Sequence, residues 1–221
     1  MTMAVMTLRM AMTDPLLTLH QMFSPAFPVG AFAYSHGLEA AVQEGRVTEA
    51  SQLQAWLQVV LSRGAGWSDA VVVAQVAQGA AVGAISELVR AMCPSPGRRL
   101  ETDQQGDAFV AAANGVWGLD LHPAPYPVAV GQAIRALDLP VSDAIVVYLQ
   151  AFASNLTSAG VRLVPLGQTE GQQILQAVSP LCRRLADKAV VSDEGDIGGF
   201  APLVDIDSLR QATLYSKLFR S

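Results

Sequence analysis

A chain of 221 residues, 51% hydrophobic and 15% charged, can bury a large core as one domain or at most two small ones. Its formal net charge of −5 gives no electrostatic ground for nucleic-acid binding, and no apolar run approaches the roughly 18 uncharged residues of a membrane span. Cys93 and Cys182 stand far apart without a CxxC, which argues against a disulfide framework or a zinc site and fits two buried thiols in a reducing cytosol.

The first fourteen residues, MTMAVMTLRMAMTD, hold five of the seven methionines. Thioethers select soft metals, so a Met-rich copper site is one reading; a frayed tail over residues 1–13 is the plainer one. Asp14-Pro15 is a cap followed by a first-turn proline and opens a helix to about Met22. Pro25 and Pro28 keep the next stretch out of regular helix, and Gly30 allows a turn that a Cβ would resist. The pattern then predicts a helix from Phe32 to Gly45.

Thr48 is expected to cap a helix whose Leu53, Trp56, Leu57, Val60 and Leu61 share one apolar face. Ser68-Asp69 opens a segment running to Met92 that is apolar nearly all round, as a central helix would be. CPSPG at 93–97 is a break, followed by predicted helices over 98–117, 128–137 and 142–159. Helices are also predicted on both sides of Ser179-Pro180. No alternating strand pattern survives, so the expected fold class is all-α: a single-domain bundle of roughly 8–10 helices over 14–191. A Gly-rich, polar linker at 192–202 and a terminal segment complete the chain.

Ser35, His36 and Glu39 lie within five residues and suggest a Ser/His-dependent hydrolase. On a helix, however, adjacent residues point about 100° apart, so Ser35 and His36 cannot share a proton along it. No G-x-S-x-G elbow and no P-loop occur, which removes the commonest sequence signs of a nucleophile elbow or a phosphate cradle. His20, His36 and His122 are scattered, so a Met/His metal-binding protein is a weaker alternative. The stretch reads better as a packed corner: Pro25 and Pro28 stiffen it, Ser35 belongs to it, and Gly37 permits close helix approach. It would present Tyr34, His36 and Glu39. Arg162 could act as a finger on a partner's nucleotide, but a core-edge arginine holding helix ends explains it more simply.

In the terminal segment, Ile206 and Leu209 fall on one side of a helix and Leu214, Tyr215, Leu218 and Phe219 roughly opposite. A segment docked only on its own domain needs one apolar face, so two such faces fit a tail clamped by a partner. The low charged fraction agrees, being well under the roughly 25% of typical soluble domains.

The motifs SPAFPVGAFAYSHGLEAAVQEGRV, YPVAVG, ASNLTSAGVRLVPLGQ and DIDSLRQATLYSKLFRS occur in this order, and from about Leu16 to Ser221 the chain resembles the urease accessory protein F (UreF) family. Leu209, Gln211 and Ala212 stand where that family's tail usually carries Met, His and Glu, and Lys217 replaces an Arg. Arg210, Tyr215, Ser216, Leu218 and Phe219 match. The resemblance implies a dimeric, cytoplasmic, non-catalytic protein without a cofactor. It also implies binding to UreD (also called UreH), recruitment of the nickel-carrying GTPase UreG, and nickel loading of apo-urease. The candidate partner-binding residues are Tyr34, His36 and Glu39 on the corner, and Arg210, Tyr215, Ser216, Lys217, Leu218, Phe219 and Arg220 on the tail.

Overall fold

Ten helices carry almost all of the regular structure in the computed structural model, which describes residues 14–221; the Met-rich 1–13 stretch lies outside them. They are α1 Pro15–Met22, α2 Leu38–Gln43, α3 Ala50–Arg63, α4 Ala65–Ala77, α5 Val82–Ala91, α6 Pro96–Trp117, α7 Tyr126–Ala136, α8 Val141–Leu163, α9 Gln168–Val190 and α10 Pro202–Gln211. Among the described residues no strand forms, and the fold class is all-α.

The helix ends follow local chemistry. Asp14 Oδ1 accepts from the Leu16 amide at 2.8 Å and caps α1, while Ser95 Oγ accepts from Arg98 N at 3.2 Å and starts α6 two residues before the predicted Arg98. Thr48 is not the cap of α3; its N–H and hydroxyl both donate to Gln52 Oε1 just outside the helix.

Three expectations need correction. The predicted 32–45 helix is broken. Ala31–Ala33 form a single 3-10 turn and Tyr34 is extended; His36 and Gly37 are left-handed at φ 57° and 83°, and only Leu38–Gln43 is α-helical. The predicted 69–92 helix divides at Gly79, whose φ of 111° ends α4. Conversely, Pro180 does not split its segment but lies inside α9. Burial of Ile174, Leu175, Val178, Cys182 and Leu185 along the bundle offsets the roughly 3 kcal/mol that an interior proline costs.

The core sits around α4, whose Ala70 to Ala74 run is fully buried between α7, α8 and α9. A second, smaller cluster joins Leu38, Leu53, Trp56, Leu57, Val60, Leu156 and Ile174, and it includes Phe219 from the tail. Helix α8 meets the length and composition of a membrane-crossing helix, with mean hydropathy 1.3, yet half of that window is buried inside the bundle, where α8 is a core helix. Cys182 is buried as expected, whereas Cys93 is only half-buried.

Residues 192–201, whose composition suggests a flexible linker, make specific contacts. Trp67 Nε1 donates to Asp196 O at 3.1 Å, Gln75 Nε2 donates to Ser192 O at 2.7 Å, and Ile197 enters the core. They carry the chain back across α4 to α10, which packs on α2 and α6.

Candidate functional site

The 24–45 corner and the tail form one structure. Gly30, at φ 72° with no heavy atom within 4 Å of a would-be Cβ, turns the chain into the 3-10 turn. Gly37 differs: an added Cβ would lie 2.6 Å from Ser208 N and 2.8 Å from Asp207 C, so its lack of a side chain lets α10 close against the corner. Close approach is the reason for this glycine, although it precedes α2 instead of lying within a helix. Gly30→Ala should therefore cost only the backbone strain of about 1 kcal/mol, lowering Tm by about 2–4 °C in a thermal melt. Gly37→Ala adds a backbone clash and should lower it clearly further in the same experiment.

The three residues that suggested a triad diverge. Ser35 donates its N–H and its hydroxyl to Ser221 O at 2.7 and 2.8 Å. His36 Nε2 lies 2.7 Å from Glu101 Oε1 and 2.8 Å from Arg98 Nη1, with its ring edge-on to Phe152. Glu39 faces the tail, accepting from Leu218 N at 2.8 Å, Phe219 N at 3.1 Å and Gln211 Nε2 at 2.8 Å. With its hydroxyl on a backbone oxygen and His36 turned to another helix, Ser35 has no base in reach. Tyr34 is buried too, its hydroxyl donating to Gln104 Oε1 at 2.6 Å.

Gln211 is the second half of this clasp. Its Nε2 also donates to Phe219 O at 3.2 Å, and its Oε1 accepts from Ala40 N at 3.2 Å. Arg220 N donates to Ala33 O at 2.7 Å, and the Arg162 guanidinium stacks 4.5 Å over the Phe219 ring while reaching Phe32 O. Arg162 thus holds the tail at the core edge. Arg46 grips Asp207 through Nη1 and Nη2, and Glu44 bridges Arg46 and Arg210. Lys217 Nζ reaches the Gln211 and Ala212 carbonyls at the end of α10, where a cation suits the helix dipole.

The ten candidate partner residues therefore separate into two groups. Tyr34, His36, Glu39 and Phe219 are buried within the chain itself and bind its own tail or core. Arg210, Tyr215, Ser216, Lys217, Leu218 and Arg220 are exposed, with Tyr215 fully so and Leu218 at 73%. Sequence reasoning missed Arg98, Glu101 and Asp69. The Arg98-x-x-Glu101 spacing was a visible sign of an i,i+3 pair, but nothing local marked it as buried. His20 and His122 are exposed and remote, and among the described residues no group of three His, Cys, Asp or Glu side chains is arranged to hold a metal ion.

A cavity of about 790 Å³ opens beside this corner, and a smaller one of about 140 Å³ lies behind it; His36, Asp69, Arg98 and Thr102 line both. Burial and the Arg98 charge lower the His36 pKa against the pull of Glu101, leaving the imidazole neutral. Burial alone would raise Glu101, but Arg98 and His36 overcome it and hold that carboxyl at about 2. Burial pushes Asp69 up to about 6, opposed by the Tyr148 hydrogen bond and by Arg98.

The two carboxylates act on stability with opposite signs. Glu101, depressed in the folded state, contributes stability above its unfolded value of 4.5 that is lost as pH falls towards 2. Asp69, raised from 3.8, contributes most below 3.8, and that stability drains away as pH rises through about 6. A tenfold change in proton affinity on folding is worth about 1.4 kcal/mol, so each carboxylate has an effect of a few kcal/mol at most. Asp69→Asn should therefore flatten the fall in stability between pH 4 and 7 in urea titrations, and Glu101→Gln should not.

Taken together, the corner and the tail form one clasp on a helical bundle, with Phe219 locked into the domain and the Tyr215 and Leu218 side chains held outward. Comparison with known families is specific. The UreF family model matches residues 47–179, more than half of the chain. Urease accessory protein UreF of Cereibacter sphaeroides strain KD131 is 45% identical over 210 residues, covering 95% of this chain and all of the relative. Its namesakes in Ruegeria pomeroyi and Rhodopseudomonas palustris strain BisA53 are 44% and 42% identical, covering 93% and 96% of this chain and 96% and 95% of their own lengths. The chain belongs to the UreF family of urease accessory proteins, and so is an accessory protein and not an enzyme.

Proposed function

We propose that this chain is a cytoplasmic, homodimeric scaffold in urease maturation. It bridges UreD (UreH) and the nickel-carrying GTPase UreG so that nickel, its cargo, reaches apo-urease. Family membership supports the pathway; the tail carries the bridging role. Tyr215 and Leu218 project into solvent from a segment whose backbone is fastened by Glu39, Gln211 and Ala33. Large apolar side chains pre-positioned in this way lose little freedom on binding, which is how interface anchors gain affinity. Leu16, Leu17 and Phe32 are also exposed and are candidates for the contact between two copies.

The test is co-expression with a UreD-like protein and a P-loop GTPase, followed by size-exclusion chromatography with light scattering. Co-elution as a stable heteromer containing two copies of this chain is the expected result. Elution as a lone monomer, or as a homodimer that ignores both proteins, overturns the scaffold reading.

A further inference from the structure

The larger cavity contains a charge imbalance that the scaffold role does not use. Its lining includes Asp69 of α4, whose Oδ2 accepts the Tyr148 hydroxyl at 2.7 Å. Among the described residues no basic group forms a salt bridge with Asp69. Arg98, which also lines the cavity, is paired with Glu101, and His36 beside them is neutral. An ionised Asp69 thus leaves the cluster with one negative charge in excess, and a half-buried carboxylate drawn partly out of water is stabilised by a cation.

The walls beside it are aromatic. Phe23 packs edge-on to Tyr148 with centroids 5.9 Å apart, and Tyr126 lies 5.6 Å from Tyr148, all three lining the cavity. Ring faces attract cations, most strongly where water is excluded. Further along, Gln150, Asn155 and Ser158 provide neutral polar groups.

We propose that this cavity binds a small organic cation, an ammonium group on an apolar body, with the ammonium at Asp69 and the body against Phe23, Tyr126 and Tyr148. An anion is disfavoured because Arg98 is already paired with Glu101. A bare metal ion is disfavoured because Glu101, the other carboxylate of the lining, is taken up by Arg98 and His36, and no three ligating side chains converge among the described residues. The volume of about 790 Å³ lies in the range of small-molecule sites. The assignment stands apart from any role in nickel delivery.

Benzylamine, cationic at pH 7.5, and its neutral counterpart benzyl alcohol are the probes, measured by titration calorimetry on the full chain. Saturable benzylamine binding is expected, with benzyl alcohol at least about tenfold weaker. In Asp69→Asn, where the side-chain carbonyl still accepts from Tyr148, benzylamine should weaken about tenfold and benzyl alcohol should not change. Equal affinity for the two probes, an unchanged benzylamine affinity in D69N, or no saturable binding to the folded wild type overturns the proposal. If circular dichroism shows D69N unfolded, Tyr126→Leu decides instead: a reduced advantage of the amine over the alcohol supports the site, and an undiminished one overturns it.

Discussion

Glu39→Ala is expected to release residues 212–221 from the domain while α3, α4, α8 and α9 remain folded. Glu39 is 3% exposed and accepts three N–H groups, from Leu218, Phe219 and Gln211. Truncation leaves all three without this acceptor, the Phe219 and Gln211 donors in a buried site and the Leu218 donor in a half-buried one, and each stranded buried donor costs about 1–3 kcal/mol. Freeing the tail restores those donors to water at the cost of exposing Phe219, worth about 1.5–3 kcal/mol of burial. Release is opposed by the Ser35–Ser221, Ser221–Glu101, Ala33–Arg220, Gln211–Phe219 and Gln43–Ser216 bonds and by the Arg162 stack, but these bonds are exchanged for bonds to water, so each opposes release by less than a stranded buried donor costs. Hydrogen exchange should show loss of protection confined to the tail and the end of α10. Glu39→Gln, which keeps one carbonyl acceptor, should fall between wild type and alanine. Unchanged tail protection in Glu39→Ala would show that Phe219 packing alone holds the segment.

Periodicity made the long helices legible because their apolar faces repeat within the element itself. The face of Leu53, Trp56, Leu57, Val60 and Leu61 forms the α3 side of the smaller core cluster, apart from Leu61, which joins the larger one. The corner was less legible, because its conformation is set by partners up to 186 residues away. Ser35 and Ser221 are paired over that separation, and Gly37 is required by α10. A non-glycine residue at φ 57°, as at His36, leaves no mark on the residue pattern, and helix was the natural expectation for a stretch rich in Ala, Leu and Glu.

The tail shows the same limit from the other side. Two apolar faces were visible, but which of them the chain itself covers was not. Phe219 turned inward under Arg162 while Tyr215 and Leu218 stayed out. Gln211, which the sequence marks only through the family resemblance that sets a His there, joins the corner to the tail. As a primary amide it donates to Glu39 and Phe219 and accepts from Ala40 at once, a combination that one imidazole ring cannot supply.

This division fixes how the interface must be tested. Replacing Tyr215, Leu218 and Phe219 together would confuse two effects, because Phe219 is 2% exposed and belongs to the core. Loss of capture by the triple variant could reflect a detached tail as easily as a missing contact. The double variant Tyr215→Ala, Leu218→Ala removes only side chains that project into water, and should leave Tm within about 2 °C of wild type. Interface anchors of this kind commonly contribute about 2 kcal/mol each once buried by the partner, so capture of a UreD-like partner should weaken by about a thousandfold. Phe219→Ala should lower Tm and weaken capture together, since the tail loses its buried footing in the domain. Surface plasmon resonance with the partner immobilised, read beside thermal melts, separates the two. A double variant that binds like wild type would remove the tail loop from the interface. A double variant that loses binding at unchanged Tm would place the contact on the two side chains that the clasp holds outward.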